Sequence, residues 1–317
     1  MRWINAIKDG LFCGRRGILG ACIFYLEALL LSSLALAPLA SGLHRVLDEA
    51  PTAAPLARGV GVDRLLETAI NQPGLWSAGF GNMGVAFLLH LGLALLITAG
   101  ATGLIARAPE GSPWRAFWRE ASGLFFPFAG LFLMSLLLLV AVGILPSLLV
   151  AGLGKALKES VSPTAFWGVL SGWVIVFLLL LAVFKGATGF TQARRALGGG
   201  AEGLGRCFLA GAKFSLKKFV PSFGFTALFL VLRMATFSGF YWAVAPGYGT
   251  AGSAFVSALL LQLAFAAQAY IRVAEIAAQV SYLKASGGAY VPPAERAQPP
   301  VETPAEPEAS PEELVTA

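Results

Sequence analysis

Residues 124–150 read LFFPFAGLFLMSLLLLVAVGILPSLLV, and this stretch decides what kind of protein the chain is. It contains no charged residue, and about 20 mostly apolar residues are enough for a helix to cross the hydrocarbon core of a bilayer. There is no water in that core to satisfy backbone groups, so an apolar run of this length must be a helix. Working outward, five more apolar blocks appear at about 18–41, 82–106, 165–185, 220–244 and 254–276. The composition agrees. The 317 residues are 57% hydrophobic and 13% charged, with mean hydropathy +0.73, whereas a soluble domain carries about 25% charged residues. The expected fold is all-α: a polytopic transmembrane helical bundle of six spans occupying residues 1–285, followed by a tail at 286–317.

The first block follows Arg15 and Arg16 and has an Ala35-Leu36-Ala37 triplet, so it mimics a signal peptide. Its apolar run is too long for one, and Pro38 occupies the bond that would be cut. It reads as a retained span.

Lysine and arginine placement sets the orientation, because cytoplasmic loops accumulate positive charge. With the N-terminus inside, seventeen basic residues fall on cytoplasmic segments, Lys185 and Arg272 among them. Five fall outside (Arg45, Arg58, Arg64, Lys155 and Lys158), and Arg233 lies within a span. Both termini are then cytoplasmic, as in a bacterial inner-membrane protein. The net charge of +6 faces anionic headgroups rather than nucleic acid, since the basic residues border spans instead of forming one soluble patch. Cys13, Cys22 and Cys207 lie on or near the reducing side without metal-ligand spacing, so neither disulfides nor zinc are expected.

The tetrapeptide Gly-Ala-Thr-Gly occurs twice, at 100–103 and 186–189, each time closing an apolar block and preceding arginine. Each copy is followed by a basic, aromatic-bearing connector and then by a proline at a span start, Pro127 and Pro221. The ordered unit of span, GATG, arginine, connector, proline and span predicts a parallel internal repeat of helical hairpins, related by an axis along the membrane normal. Gly100 and Gly103 share a helix face, as do Gly186 and Gly189, and small residues on one face let helices pack closely. A hinge or ligand-contacting backbone is the functional alternative.

The connectors are amphipathic. Trp114, Phe117 and Trp118 fall at i, i+3 and i+4 beside Arg115 and Arg119. Trp3, Ile4, Ile7 and Leu11 form a similar stripe, and Leu209, Ala212, Leu216 and Phe219 another, the last flanked by Lys217 and Lys218. Such segments lie in the headgroup region, so Trp3, Trp114, Phe117, Trp118, Lys217 and Lys218 are expected at the interface. The outer loop at 42–81 contains a short helical pattern ending at Pro73-Gly74 and is expected to pack on the outer mouth of the bundle. From about Gly287 onward proline alternates with glutamate, a composition that buries too little to fold, so the tail is expected to be disordered and cytoplasmic.

Three GxGxxG matches (79–84, 198–203 and 247–252) follow no strand and carry no nucleotide site in a chain with 37 glycines. P-loop, GxSxG and HExxH motifs are absent, and His44 and His90 are the only histidines. No catalytic residue, cofactor or metal is expected. Intramembrane polarity remains, and it is expensive enough to point to function. Glu27, His90, Arg233, Gln262 and Gln268 lie within spans, and Gln268, Arg272, Glu275 and Gln279 form a one-sided stripe. Either they bond one another and fix packing, or they line a polar cavity for a proton, ion or lipid headgroup. Glu27 and Arg233 lie at similar depth and are expected to form an ion pair, with His90 nearby on its outer side.

The opening from Trp3 to Arg16, the two GATG units and the closing QAYIRVAEIAAQVSYL together resemble uncharacterised bacterial six-span membrane proteins, loosely like the membrane domain attached to glycerophosphodiester phosphodiesterases. The resemblance covers about residues 1–285, includes no phosphodiesterase domain and implies no catalytic residue. The expected function is non-enzymatic: a membrane organiser or accessory subunit binding lipid, a protein partner or a second copy of itself. A small transporter or channel using the intramembrane polar residues is the alternative.

Overall fold

A computed structural model describes residues 2–48, 73–158, 163–198, 202–244 and 251–288. Among them there are eight helices and no strand. In order they are α1 (Arg2–Leu11), α2 (Gly14–Asp48), α3 (Pro73–Arg107), α4 (Pro113–Lys158), α5 (Pro163–Leu197), α6 (Leu204–Lys217), α7 (Phe219–Val244) and α8 (Ala251–Ala285). Six of them, α2, α3, α4, α5, α7 and α8, contain apolar stretches long enough to cross a membrane. The chain is an all-α integral membrane protein.

The helices run well beyond the apolar blocks. α5 continues twelve residues past Lys185 and α8 nine past Ile276, so charges read as span-terminal lie within the bundle. The loop read at 42–81 is shorter: α2 extends to Asp48 and α3 starts at Pro73, which initiates a helix rather than ending one because its missing N–H would be an orphan there. The central part of that loop and the tail from 289 onward lie outside the described residues.

α8 is the central helix. It packs against α1, α2, α3, α5 and α7, while α3 also touches α2, α4 and α5. Lipid is as apolar as leucine, so association depends on close van der Waals contact and small residues. α8 meets this need with Ala274, Ala277 and Ala278, and α3 with Ala99, Gly100, Ala101 and Gly103. α1 docks on α8 where a Cβ at Gly10 would lie 2.5 Å from the Ala274 carbonyl oxygen. Ser281 donates to Asp9 at 2.6 Å, and the Tyr270 hydroxyl donates to the Leu11 carbonyl.

α8 ends in a Schellman motif. Gly287 takes a φ of 67°, its N–H reaches Lys284 O, and Gly288 N–H reaches Leu283 O at 3.1 Å. Arg194 then donates to Gly288 O at 2.6 Å. Close by, the rings of Phe190, Phe214, Phe225 and Tyr282 meet at 5.3–6.2 Å and join α5, α6, α7 and α8.

The two prolines of the expected repeat occupy different places. Pro221 is the third residue of α7, where the first turn tolerates it, whereas Pro127 lies inside the continuous helix α4. The first connector is fused to its span, and the second is the separate helix α6. The four GATG glycines are contact positions with different partners. A Cβ at Gly100 would meet the Phe117 ring at 2.7 Å and one at Gly103 would meet Glu120. One at Gly186 would meet Thr226, and one at Gly189 the Gln279 amide.

Candidate functional site: a charged chamber within the bundle

The Gln268-Arg272-Glu275-Gln279 stripe of α8 is the backbone of the site. Arg272, Glu275 and Gln279 face a cavity of about 490 Å³, with Gln268 one turn beyond. α7 contributes Arg233, α5 contributes Lys185, Thr188 and Gln192, α4 Ser135, and α3 Thr98 and His90. Leu91, Leu95, Phe132, Leu136, Leu139, Leu181 and Phe184 make the remaining wall apolar.

Glu275 is buried and anchors two cations on one oxygen: Lys185 Nζ donates to Oε2 at 2.9 Å and Arg233 Nη2 at 3.1 Å. Glu275 Oε1 and Arg233 Nε are buried without a protein partner. Gln268 donates to the Arg233 carbonyl at 2.8 Å, tying α8 to α7. Arg272 lies 4.3 Å over the Phe24 ring and donates to Thr98 Oγ1 at 3.3 Å. This cation–π contact offsets part of the cost of a buried guanidinium.

Glu27 pairs with His90 Nδ1 at 2.5 Å instead of with Arg233. The expected Glu27–Arg233 pair is therefore corrected. The central helix α8 supplies a nearer carboxylate to Arg233, and Glu275 looked span-terminal only because the apolar block stops near 276. At ~1.5 Å per residue, ten residues separate Glu275 from the end of α8 by about 15 Å. His90 does lie beside Glu27, as expected. Gln262 stands apart from the chamber wall and accepts from the Tyr25 hydroxyl at 2.8 Å, tying α2 to α8.

The interfacial expectation divides. Trp3, Trp114, Trp118, Lys217 and Lys218 are exposed, and Trp114 and Trp118 meet edge to face at 5.6 Å. Phe117 is the correction: it is fully buried beneath Gly100, because α4 turns this face toward α3. α6 also has a small-residue face that its apolar stripe concealed. Cys207, Gly211 and Ser215 are buried, with Gly211 close against Thr191 of α5, while Leu209 and Leu216 point outward.

Sequence reading missed Lys185, Ser135, Thr98, Thr188 and Gln192 as chamber residues. Lys185 could have been found by extending span 4 through GATG, which is helical, and hydroxyl residues buried in spans leave no distinctive pattern. Near the same helix ends, cations hold terminal carbonyls. Arg107 binds Glu120 at 2.8 Å and Ala196 O at 3.0 Å, and Lys284 binds Ala106 O at 2.7 Å. Arg194 also pairs with Glu202 at 2.9 Å. Outside the spans, burial pushes the Cys207 thiol up to about 11, and burial raises Cys13 as well, partly opposed by a hydrogen bond to Tyr270. Among the described residues, no group of three or more His, Cys, Asp or Glu side chains could hold a metal ion.

Compared with known proteins, the chain matches no family model, no curated protein and no solved structure.

Proposed function

We propose that the chain is a non-enzymatic membrane organiser or accessory subunit that binds lipid or a partner protein. The observation that carries this reading is the chamber, where cations, a carboxylate, hydroxyls and amides surround a cavity at bilayer depth beside an apolar wall. Charges at that depth are costly, and a binding role gives them a use. The exposed Trp3, Trp114, Trp118, Lys217 and Lys218 support a lipid-facing collar at the same end of the bundle. The test is mass spectrometry of the protein purified in mild detergent. A defined lipid or protein retained in fixed ratio supports the reading, and a chain free of both overturns it.

The same proposal places the protein in a bacterial inner membrane with both termini cytoplasmic. Its basis is the asymmetry of Lys and Arg, which survives moving Lys185 and Arg272 into the bundle. Single cysteines at positions 160 and 250 should label from outside and one at 201 should not. Labelling at 201 with protection at 250 reverses the topology. The two GATG hairpins are proposed as copies of one unit, on the basis of their shared order of elements. The resemblance to membrane domains attached to glycerophosphodiester phosphodiesterases remains part of this proposal.

One observation favours a transporter as the second reading. The Glu27–His90 pair and the Lys185–Glu275–Arg233 cluster are both represented in the wall of a single cavity. Solute flux in proteoliposomes that is lost in Glu27→Gln or His90→Ala would establish it.

A further inference from the structure

We propose that the chamber is a binding site for a single monoanionic phosphate group, with Arg272 as its principal contact. This deepens the lipid-binding reading above and rests on it.

The first argument is charge. Lys185 and Arg233 sit directly on Glu275, Arg272 lies one turn from it on the same face of α8, and Glu27 stands behind His90. The three cations and two carboxylates among these residues leave one positive charge in excess. A medium of low dielectric does not tolerate that excess well, and a monoanion removes it.

The second argument is hydrogen-bonding capacity. Among the described residues, each of the three cations uses a single donor on protein: Lys185 and Arg233 on the same oxygen of Glu275, and Arg272 on Thr98. Lysine offers three donors and arginine five, so most of their capacity is unused. Arg233 Nε is buried without a partner. Arginine presents a planar fork suited to phosphate oxygens, and Arg272 holds its guanidinium against Phe24 with only one hydrogen bond, at 3.3 Å.

The third argument concerns what carries the phosphate. Leu95, Leu136, Leu181 and Phe184 line the same cavity as the cations, so the wall fits an acyl chain attached to the anion. The half-exposed side chains of Lys185 and His90 show that the chamber is reached from outside the fold. A phosphodiester lipid headgroup and free phosphate share the anion chemistry, but only the lipid uses the apolar wall. A zwitterionic headgroup would bring a cation toward Lys185 and Arg233 and is disfavoured.

The experiment is thermal melting of the full chain in dodecyl maltoside, titrated separately with phosphatidylglycerol, phosphatidylcholine and inorganic phosphate. Wild type, Arg272→Gln and Leu136→Trp are compared, the last filling the apolar wall without touching a charge. Phosphatidylglycerol should raise the melting temperature of the wild type while phosphatidylcholine does not. Both variants should need about tenfold more phosphatidylglycerol, or more, as expected for loss of a charge-assisted contact or of the space beside it. Stabilisation by inorganic phosphate that is lost in Arg272→Gln but kept in Leu136→Trp would assign the site to the free anion. Equal responses to both lipids overturn the proposal. So does a phosphatidylglycerol effect unchanged in both variants, which would locate lipid binding on the outer surface and leave the organiser reading standing. If Arg272→Gln fails to fold, Leu136→Trp alone decides the lipid arm.

Discussion

The two halves of α3 lie in one apolar helix and behave differently. Residues 97–104, ITAGATGL, are all buried, whereas between 80 and 89, FGNMGVAFLL, only Ala86 is. The central helix repeats the contrast: 273–280 is buried throughout, and 255–263 has no buried residue. The exposed stretches are the richer in Phe and Leu, so apolarity does not decide burial here, while small side chains favour it. Where Gly, Ala, Ser and Thr cluster, backbones approach and helices interlock. Where Phe, Leu and Met dominate, side chains face lipid and gain nothing by leaving it. The chamber lies between these regimes, with small residues holding one end closed and larger ones spread along its wall.

The contrast breaks most readily at the contact glycines. Gly103→Leu drives a side chain into Glu120, whose Cβ lies 2.7 Å from the new Cβ position, and disturbs the Arg107–Glu120 pair. It should cost about 3 kcal/mol, the upper end for overpacking. Gly84→Leu in the open half of the same helix meets nothing within 4 Å and should change stability by less than about 0.5 kcal/mol. Melting in detergent checks both, and equal losses would mean that the open half is packed by something other than lipid.

The next effect concerns charge. Glu275→Gln strands Lys185 and Arg233 together and should cost about 2 kcal/mol, less than for a fully enclosed pair because the Lys185 side chain is half exposed. Arg233→Met costs less, since Lys185 still holds Glu275. In a double-mutant cycle, Glu27→Gln and Arg233→Met should be additive within about 0.5 kcal/mol, because their partners differ. Recovery of stability in the double variant would restore the Glu27–Arg233 pair that sequence depth alone suggested.

That pair shows how far the sequence could be read. The six spans were legible because length and apolarity define a crossing helix directly. The stripe on α8 was legible because its spacing sets Arg272, Glu275 and Gln279 on one face. Partner choice was not legible, since it depends on which helix stands at the centre, and nothing in hydropathy marks α8 as that helix. Helix ends were misplaced for a related reason: Lys185 and Glu275 interrupt apolarity without interrupting the helix. Phe117 read as interfacial because its neighbours Trp114 and Trp118 are, yet one turn of α4 carries faces toward both lipid and protein.

A smaller effect belongs to the helix ends of the packed half. Lys284 donates to Ala106 O, a terminal carbonyl of α3, and is itself exposed. Lys284→Met should cost about 1 kcal/mol, the scale for a cation on a helix C-terminus. A loss much larger than this in melting experiments would mean that Lys284 also holds something beyond α3.

The smallest effect tests how dry the packed half is. Cys207 is fully buried on α6, and its thiol lies 3.6 Å from the Thr191 carbonyl oxygen. Burial raises its pKa from 9.0 to about 11. An unfolded thiol loses its proton from about pH 9 and the folded one only near 11, so in that window the unfolded state binds fewer protons and the fold weakens as pH rises. Below about pH 8 the thiol adds little slope. Between pH 9 and 10 the loss should be about 0.5–1 kcal/mol, and Cys207→Ser should remove that part of the slope while leaving stability at pH 7 to 8 nearly flat. An unchanged slope in the variant would mean that water already reaches the α5–α6 contact. The small-residue face of α6 would then be a loose seam instead of part of the packed half.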